Sequence, residues 1–424
     1  MATYLKRARP RAAEDTTAVE QTVREIVQRI KREGESAVRE YSRALDKWDP
    51  PSFRVTEAEI AAAEASLSPQ VKADIQTAHE RVKDFASRQR ATLVDFEAET
   101  IPGVILGQKQ IPVASVGCYI PGGRYPLIAS ALMSVLTAKV AGVKRVVACS
   151  PPRGEKMWPG TLYATALAGA DEIYCLGGVQ ALAAMAFGTL PGLDAVDMIV
   201  GPGNKYVVEA KRQLFGTVGI DLLPGPTEIL IIADDTADPA MVAADLIGQA
   251  EHDPASRQCL VTTSEALGRA VLAEIEQQMP EVPTREVAAE SWGNNGEVVV
   301  VDSHEEAAVE ADRWAPEHLE VQTENPRWYL EQLRNYGSLF VGEPATVLYS
   351  DKALGTNHIL PTLGSARYTG GLWVGKFIKT VTYQILTEAG SEAVAPAAMG
   401  VAEAEGMLAH VITGRLRLNK YGNR

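Results

Sequence analysis

The sequence predicts an α/β protein with parallel-rich sheets covered by helices, ending in a helical arm. Three observations predict it. Strand-like and helix-like patterns alternate from residue 104 to about residue 349, which suits parallel strands joined by crossover helices. Glycine-containing loops follow three of those strands, at 117–123, 177–178 and 201–204. A chain of 424 residues is too long for one ordinary core, so two or more domains are expected.

The elements follow in order. Thr17 and Glu20 have capping-box spacing, and Val19, Val23, Ile26, Val27 and Ile30 form an apolar stripe that Gly34 ends. Val38, Tyr41 and Leu45 continue the pattern in a second helix. Thr56 and Glu59 make another capping box, and Ser68-Pro69 opens a longer helix with Val71, Ile75, Ala78, Val82 and Phe85 on one face. Strands are expected at 104–106, 113–116, 143–150, 173–176, 196–200, 220–223, 228–233, 258–263, 297–301 and 319–322. Two more are expected at 339–341 and 347–349, with helices between most of these strands. From Val381 the chain is rich in Ala and Glu at helical spacing, which predicts a helical arm without a sheet.

Composition narrows the function. A net charge of -13 argues against nucleic-acid and acidic-membrane partners. No run of about 18 apolar residues is long enough to span a bilayer. The basic N-terminus lacks an apolar core, so it does not read as a secretory signal. Cys118, Cys149, Cys175 and Cys259 lie in apolar, strand-like runs without CxxC spacing. They read as reduced, buried thiols of a cytoplasmic protein, with Cys118 the best placed for catalysis because it precedes a Gly-rich loop.

Polar residues concentrate in a few places. Asp238 can cap a helix that Pro239 opens, with Met241, Val242, Leu246 and Ile247 on its apolar face. At its end Gln249 and His252 are three apart and face one way, either sharing a ligand or forming a polar helix terminus. Gly201-Pro202-Gly203-Asn204 enters a helix and reads as a phosphate cradle or a tight turn; the full GxGxxG and its acidic partner are absent. Glu317 beside His318, after Pro316, suits proton transfer and water activation, or a solvated turn. Asp351 and His358 sit in a loop too polar for its flanks. His79 and His304 read as structural. Gln249, His252, Asp351 and His410 form a mixed N/O set compatible with zinc or another first-row ion, without supporting C-x-x-C or H-E-x-x-H spacing.

At these residues the chain resembles the histidinol dehydrogenase family over nearly its whole length. The marks are Gly-Cys-Tyr119-Ile-Pro-Gly-Gly, Gly-Gly-Val-Gln180-Ala, Gly-Pro-Gly-Asn204, Gly-Pro-Thr227-Glu228, Gln249-Ala-Glu-His252, Ala-Pro-Glu317-His318, Gly-Thr-Asn-His358-Ile-Leu-Pro-Thr, and Glu405 with His410. The resemblance implies an enzyme that uses NAD and zinc to take a primary alcohol to a carboxylate through an aldehyde, in two hydride transfers. It implies zinc on Gln249, His252, Asp351 and His410. His318 is then the base for the alcohol and Glu317 the activator of water. Tyr119, Gln180 and Asn204 resemble NAD contacts. Thr227, His358 and Glu405 resemble substrate contacts, with His318 and the zinc ligands around the same substrate.

The resemblance also implies two Rossmann-like domains: a catalytic one over 16–118 and 227–372, and an NAD-binding one over 119–226. Residues 373–424, with 1–15, then form an arm exchanged in a homodimer, so that Glu405 and His410 complete the other subunit's site. Arg124-Tyr125, Lys352 and the stretches 366–372 and 376–383 look more like the sulfopropanediol dehydrogenase branch. Arg124 or Lys352 can pair with a sulfonate, or be surface charges. The expected substrate is therefore 2,3-dihydroxypropane-1-sulfonate. L-Histidinol, or a non-catalytic ligand-binding role, are the alternatives.

Overall fold

The computed structural model describes residues 3–10, 16–123 and 125–422. Its strands, in chain order, are β1 (Thr3–Lys6), β2 (Phe96–Ile101), β3 (Val104–Pro112), β4 (Ser115–Tyr119), β5 (Arg145–Ser150), β6 (Glu172–Cys175) and β7 (Met198–Val200). They continue as β8 (Gly219–Ile220), β9 (Glu228–Ala233), β10 (Arg257–Thr262), β11 (Gly296–Val300), β12 (His318–Gln322), β13 (Ser338–Val341) and β14 (Ile378–Leu386). By contacts the chain falls into two units, residues 1–87 with 114–374 and residues 88–113 with 375–424.

The first unit holds two largely parallel sheets. The five-stranded sheet has the order β6-β5-β4-β7-β8, all parallel. The six-stranded sheet has the order β1-β11-β10-β9-β12-β13, parallel except for β1. Leaving β1 aside, both sheets start at a central strand, step one way twice and then the other, an order of 3-2-1-4-5 along the chain. Central β9 is apolar on both faces. Ile229, Ile231 and Ala233 pack on one side with Val242, Leu246 and Leu260; Leu230 and Ile232 pack on the other with Val261, Ala311 and Leu319. A strand covered by helices on both faces reads as a continuous apolar run, which is why Glu228–Ala233 was recognisable.

The second unit differs from the arm expected of it. β14 pairs antiparallel with β3 along nine residues, and β3 pairs with β2, giving a three-stranded sheet where none was expected after Val381. Two helices follow, Glu388–Ala404 and Leu408–Tyr421. Residues 3–6, grouped with the arm from sequence, instead pair with β11 of the first unit. Three further local corrections apply. Val347–Tyr349 is a short helix and not a strand, Arg285–Asn295 is a helix with no sequence counterpart above, and Met241 lies exposed outside the apolar face of its helix. The capping box at Thr56 and Glu59 is present, whereas the first helix is preceded by Thr16 and lacks a side-chain cap.

All four cysteines are free and buried. Cys118 is fully buried, and burial pushes its thiol far above its ordinary value, which disfavours the nucleophilic thiolate. Among the described residues no helix is long and apolar enough to cross a membrane.

Candidate active site

β9 and β12 lie side by side, with His318 in register with Ile229. Thr227 and Glu228 enter β9 just where Glu317 and His318 enter β12. The helix His304–Trp314 stops at Ala315, a buried alanine with φ 53, and Pro316 follows. That left-handed turn delivers Glu317 to the amino end of β12. The helix Pro239–Ala250, capped by Asp238 and opened by Pro239 as expected, brings its carboxyl end to the same place. These residues thus collect at the amino ends of the six-stranded sheet, opposite to the carboxyl ends where ligands of open parallel sheets usually bind.

The hydrogen bonds are directional. Gln249 Nε2 donates to Thr227 Oγ1. Thr227 Oγ1 donates to Glu317 Oε2 at 2.5 Å, and the Glu228 N–H donates to the same oxygen at 2.9 Å. His318 Nδ1 lies 3.0 Å from the Glu228 carbonyl, which can only accept, so Nδ1 carries the proton. His318 Nε2 then points toward Asp351, with Oδ1 3.7 Å away. Both atoms are buried and lack a hydrogen-bond partner. His358 ties in from the other side: its Nδ1 meets the Asp351 carbonyl at 2.9 Å and its Nε2 meets the fully buried Ser130 Oγ at 2.9 Å. Both ring nitrogens of His358 are therefore engaged within the chain.

Burial and neighbouring charge set the protonation states. Burial pulls His318 down, but Glu317 and Asp351 outweigh it and lift the imidazole to about 9. Burial pushes Asp351 up, yet the His318 imidazole 3.7 Å away, with His358 and Lys352 nearby, holds it below the usual carboxylate range. Burial raises Glu317, with His318 opposing. Burial also raises Glu228 to about 7, although Arg257 Nη1 lies 3.2 Å from it. His252 is lowered by burial and stays neutral near neutral pH, the state a metal ligand needs.

Gln249 and Asp351 flank the His318 ring in the first unit, Gln249 Nε2 lying 3.4 Å from Nδ1 and Asp351 Oδ1 3.7 Å from Nε2, and the Asp351 charge acts on the proton affinity of His252. An amide oxygen, a neutral imidazole and a carboxylate with an unpartnered buried oxygen fit a zinc ion that still needs a further ligand. Among the described residues no three His, Cys, Asp or Glu groups of this one chain converge on such a point. His410 and Glu405 belong to the second unit and are exposed. Lys352 Nζ lies 3.5 Å from Asp351 Oδ2 and its side chain is half exposed. Arg124 lies outside the described residues.

A second cluster occupies the carboxyl ends of the five-stranded sheet. Tyr119 ends β4, and its hydroxyl accepts the Gly178 N–H at 3.2 Å. Gln180 is fully buried in the helix Gly178–Phe187, and its Oε1 lacks a partner. Exposed Asn204 caps the helix Lys205–Leu214, accepting from the N–H groups of Tyr206 and Val207. Gly201 has φ 121, and a side chain there would strike the Tyr119 carbonyl. Its N–H donates to Asp221 and its carbonyl accepts from Lys211, the two members of a fully buried ion pair.

Sequence reasoning passed over Glu228, Ser130 and Asp46. Glu228 sat inside a quoted motif, but only its backbone reaches the catalytic pair. Ser130 meets His358 across 228 residues of chain, beyond any spacing rule.

A family model described as histidinol dehydrogenase matches residues 9–418. A histidinol dehydrogenase homolog of Shouchella clausii is 54% identical over 424 residues, covering 100% of both chains. A sulfopropanediol 3-dehydrogenase of Ruegeria pomeroyi is 49% identical over 421 residues, covering 99% of this chain and 96% of that one. The crystal structure of histidinol dehydrogenase from Elizabethkingia anophelis superposes with a TM-score of 0.91 at 36% identity, covering 97% of this chain and 94% of that one.

Proposed function

The chain belongs to the histidinol dehydrogenase family of zinc- and NAD-dependent oxidoreductases, and from that premise we propose that it oxidises a small sulfonated alcohol to its carboxylate. The single observation that carries the reading is the buried pair Glu317–His318, each held on one side so that the other side is left for chemistry. Two Rossmann-like domains are part of the proposal, supported by the 3-2-1-4-5 order of both sheets.

Gln249, His252, Asp351 and His410 would hold zinc, which would supply polarisation of the substrate oxygen, and bound NAD+ would supply the hydride acceptor for each oxidation. The Glu228 carbonyl fixes His318 with its proton on Nδ1. In its neutral form, which a cation held by Asp351 would favour by offsetting the carboxylate charge that lifts the imidazole, Nε2 takes the proton of the alcohol oxygen as the C–H bond breaks, leaving an aldehyde. Glu317 has Oε2 occupied by Thr227 and Glu228, so Oε1 is the atom that accepts a proton from water as it adds to the aldehyde carbon. The hydrate loses its second hydride with a proton to His318, and the carboxylate leaves. One alcohol, one water and two NAD+ give one carboxylate, two NADH and three protons. Tyr119, Gln180 and Asn204 would hold the nucleotide, with the unpartnered Gln180 Oε1 offering an acceptor. Thr227 and Glu405 would contact the substrate, while His358 steadies Asp351.

Two features support a sulfonated diol over histidinol. The relative named sulfopropanediol 3-dehydrogenase is 49% identical, against 42% for the histidinol dehydrogenase 1 of Trichormus variabilis. Half-exposed Lys352 beside Asp351 supplies a cation that suits an anionic head group. NADH formation with dihydroxypropanesulfonate and with histidinol, measured side by side, tests the choice. The proposal expects at least tenfold higher kcat/KM for the sulfonate and a rise in its KM in Lys352→Met. Equal or better turnover of histidinol would overturn the substrate.

The arm is proposed to cross to a second copy. Leu408, Ile412 and Leu416 recur every four residues on one helix and are 62%, 54% and 62% exposed. An exposed apolar stripe of that kind suits a protein partner.

A further inference from the structure

The Gly201–Asn204 loop lacks both the full dinucleotide fingerprint and the acidic residue that usually reads the adenosine ribose in such folds. The structure brings a carboxylate to the corresponding end of the five-stranded sheet from a distant segment. Residues 42–55 run along the outer edge of β6. Ser42 Oγ donates to the Trp48 carbonyl at 2.7 Å, Trp48 Nε1 donates to the Cys175 carbonyl at 2.9 Å, the Val55 N–H donates to the Ile173 carbonyl and the Cys175 N–H donates to the Phe53 carbonyl. Lys47 turns the chain with φ 55, so Asp46 is delivered onto the Gly177-Gly178 turn.

Asp46 Oδ2 accepts Gln180 Nε2 at 2.8 Å, and the carboxylate also takes a main-chain bond from Gly177. Gly177 packs on Pro151, the residue directly after β5, so the carboxylate sits where the ends of β5 and β6 meet. Next to it the fully buried Gln180 Oε1 has no partner, folded over Gly178. A carboxylate has about four acceptor positions, so two bonds leave capacity for vicinal hydroxyls. A phosphate at this point would meet a carboxylate already seated on the amino end of the helix Gly178–Phe187, and like charges repel.

We propose that Asp46, oriented by Gln180, accepts the adenosine ribose hydroxyls of NAD and excludes a 2′-phosphorylated nucleotide. This rests on the reading that Tyr119, Gln180 and Asn204 hold the nucleotide, and the experiment separates the two. NADH and NADPH are titrated into the full-length protein by fluorescence, with thermal melts to confirm folding. Wild type is expected to bind NADH at least tenfold more tightly than NADPH. Asp46→Asn should shrink that ratio about tenfold, losing NADH affinity while gaining NADPH affinity, and Asp46→Glu should restore the preference. If Asp46→Asn weakens both nucleotides alike, or neither, while Gln180→Ala and Asn204→Ala weaken NADH, the residue merely braces the turn and the proposal falls. If Gln180→Ala and Asn204→Ala leave NADH binding unchanged, the nucleotide site lies elsewhere and both readings fall.

Discussion

His318 carries a proton on Nδ1 because the Glu228 carbonyl can only accept, and this leaves Nε2 for the proposed role of base. Glutamine in its place can keep a hydrogen bond to that carbonyl but cannot take a proton. His318→Gln should therefore lower alcohol oxidation by about 10² to 10⁴-fold. Zinc content measured by atomic absorption should stay at the wild-type level, because His318 is outside the proposed ligand set. Retained activity, or loss of the metal, would contradict the assigned role. Glu228 allows a test of electrostatics at the same scale. Its folded carboxyl is raised from 4.5 to about 7, so the folded state binds that proton more tightly than the unfolded chain does. The stabilisation is present in full below pH 4.5 and is lost as the pH rises through about 7. Glu228→Gln removes the titration. The stability of the variant relative to wild type should then rise between pH 5 and pH 8 by up to about 3 kcal/mol, read from denaturant midpoints. A difference that does not change with pH would contradict this account of the buried carboxyl.

At the scale of elements, the loop Gly201–Asn204 is shaped by two constraints that act together. Gly201 must be glycine, because φ 121 and the Tyr119 carbonyl leave no room for a side chain. The buried Lys211–Asp221 pair then grips both main-chain groups of Gly201. Lys211→Met would leave Asp221 buried without its counter-charge, a loss of about 3–5 kcal/mol. Chemical denaturation should register it, and a change below about 1 kcal/mol would contradict the pairing. Much of the element map was legible in the sequence wherever burial imposes a period. The stripe from Val23 to Ile30, the cap at Asp238 and the apolar run of β9 each announce themselves by one local rule. β14 did not, because most of its residues are exposed on both faces and no buried alternation marks it. Val347–Tyr349 looked like a strand because a short apolar run has no period of its own. The site was legible as motifs, and its wiring was not. Gln249 to Thr227 to Glu317, and Ser130 to His358, are contacts made by the fold across long separations.

At the scale of the molecule, Glu405 and His410 are exposed in the second unit, whereas the other proposed ligands are in the first. The proposed exchange of the arm between copies would bring them together. Complementation tests this directly. His318→Gln and His410→Ala should each be inactive alone. Chains unfolded together and refolded as a mixture should recover about a quarter of wild-type activity, because one of the two sites in each mixed dimer is then intact. No recovery from correctly refolded dimers would mean that each site is built from one chain. The same assembly should tie activity to dimerisation: Ile412→Asp should yield monomers by light scattering and abolish turnover.

The central claim is that one buried site, with His318 and Glu317 acting in turn, carries an alcohol through to the acid. Stoichiometry tests it most directly. With dihydroxypropanesulfonate limiting and NAD+ in excess, NADH is followed by absorbance and the products by mass spectrometry. The account predicts two NADH for each alcohol consumed, with the carboxylate as the product. One NADH for each alcohol, with aldehyde accumulating in the wild-type enzyme, would contradict it.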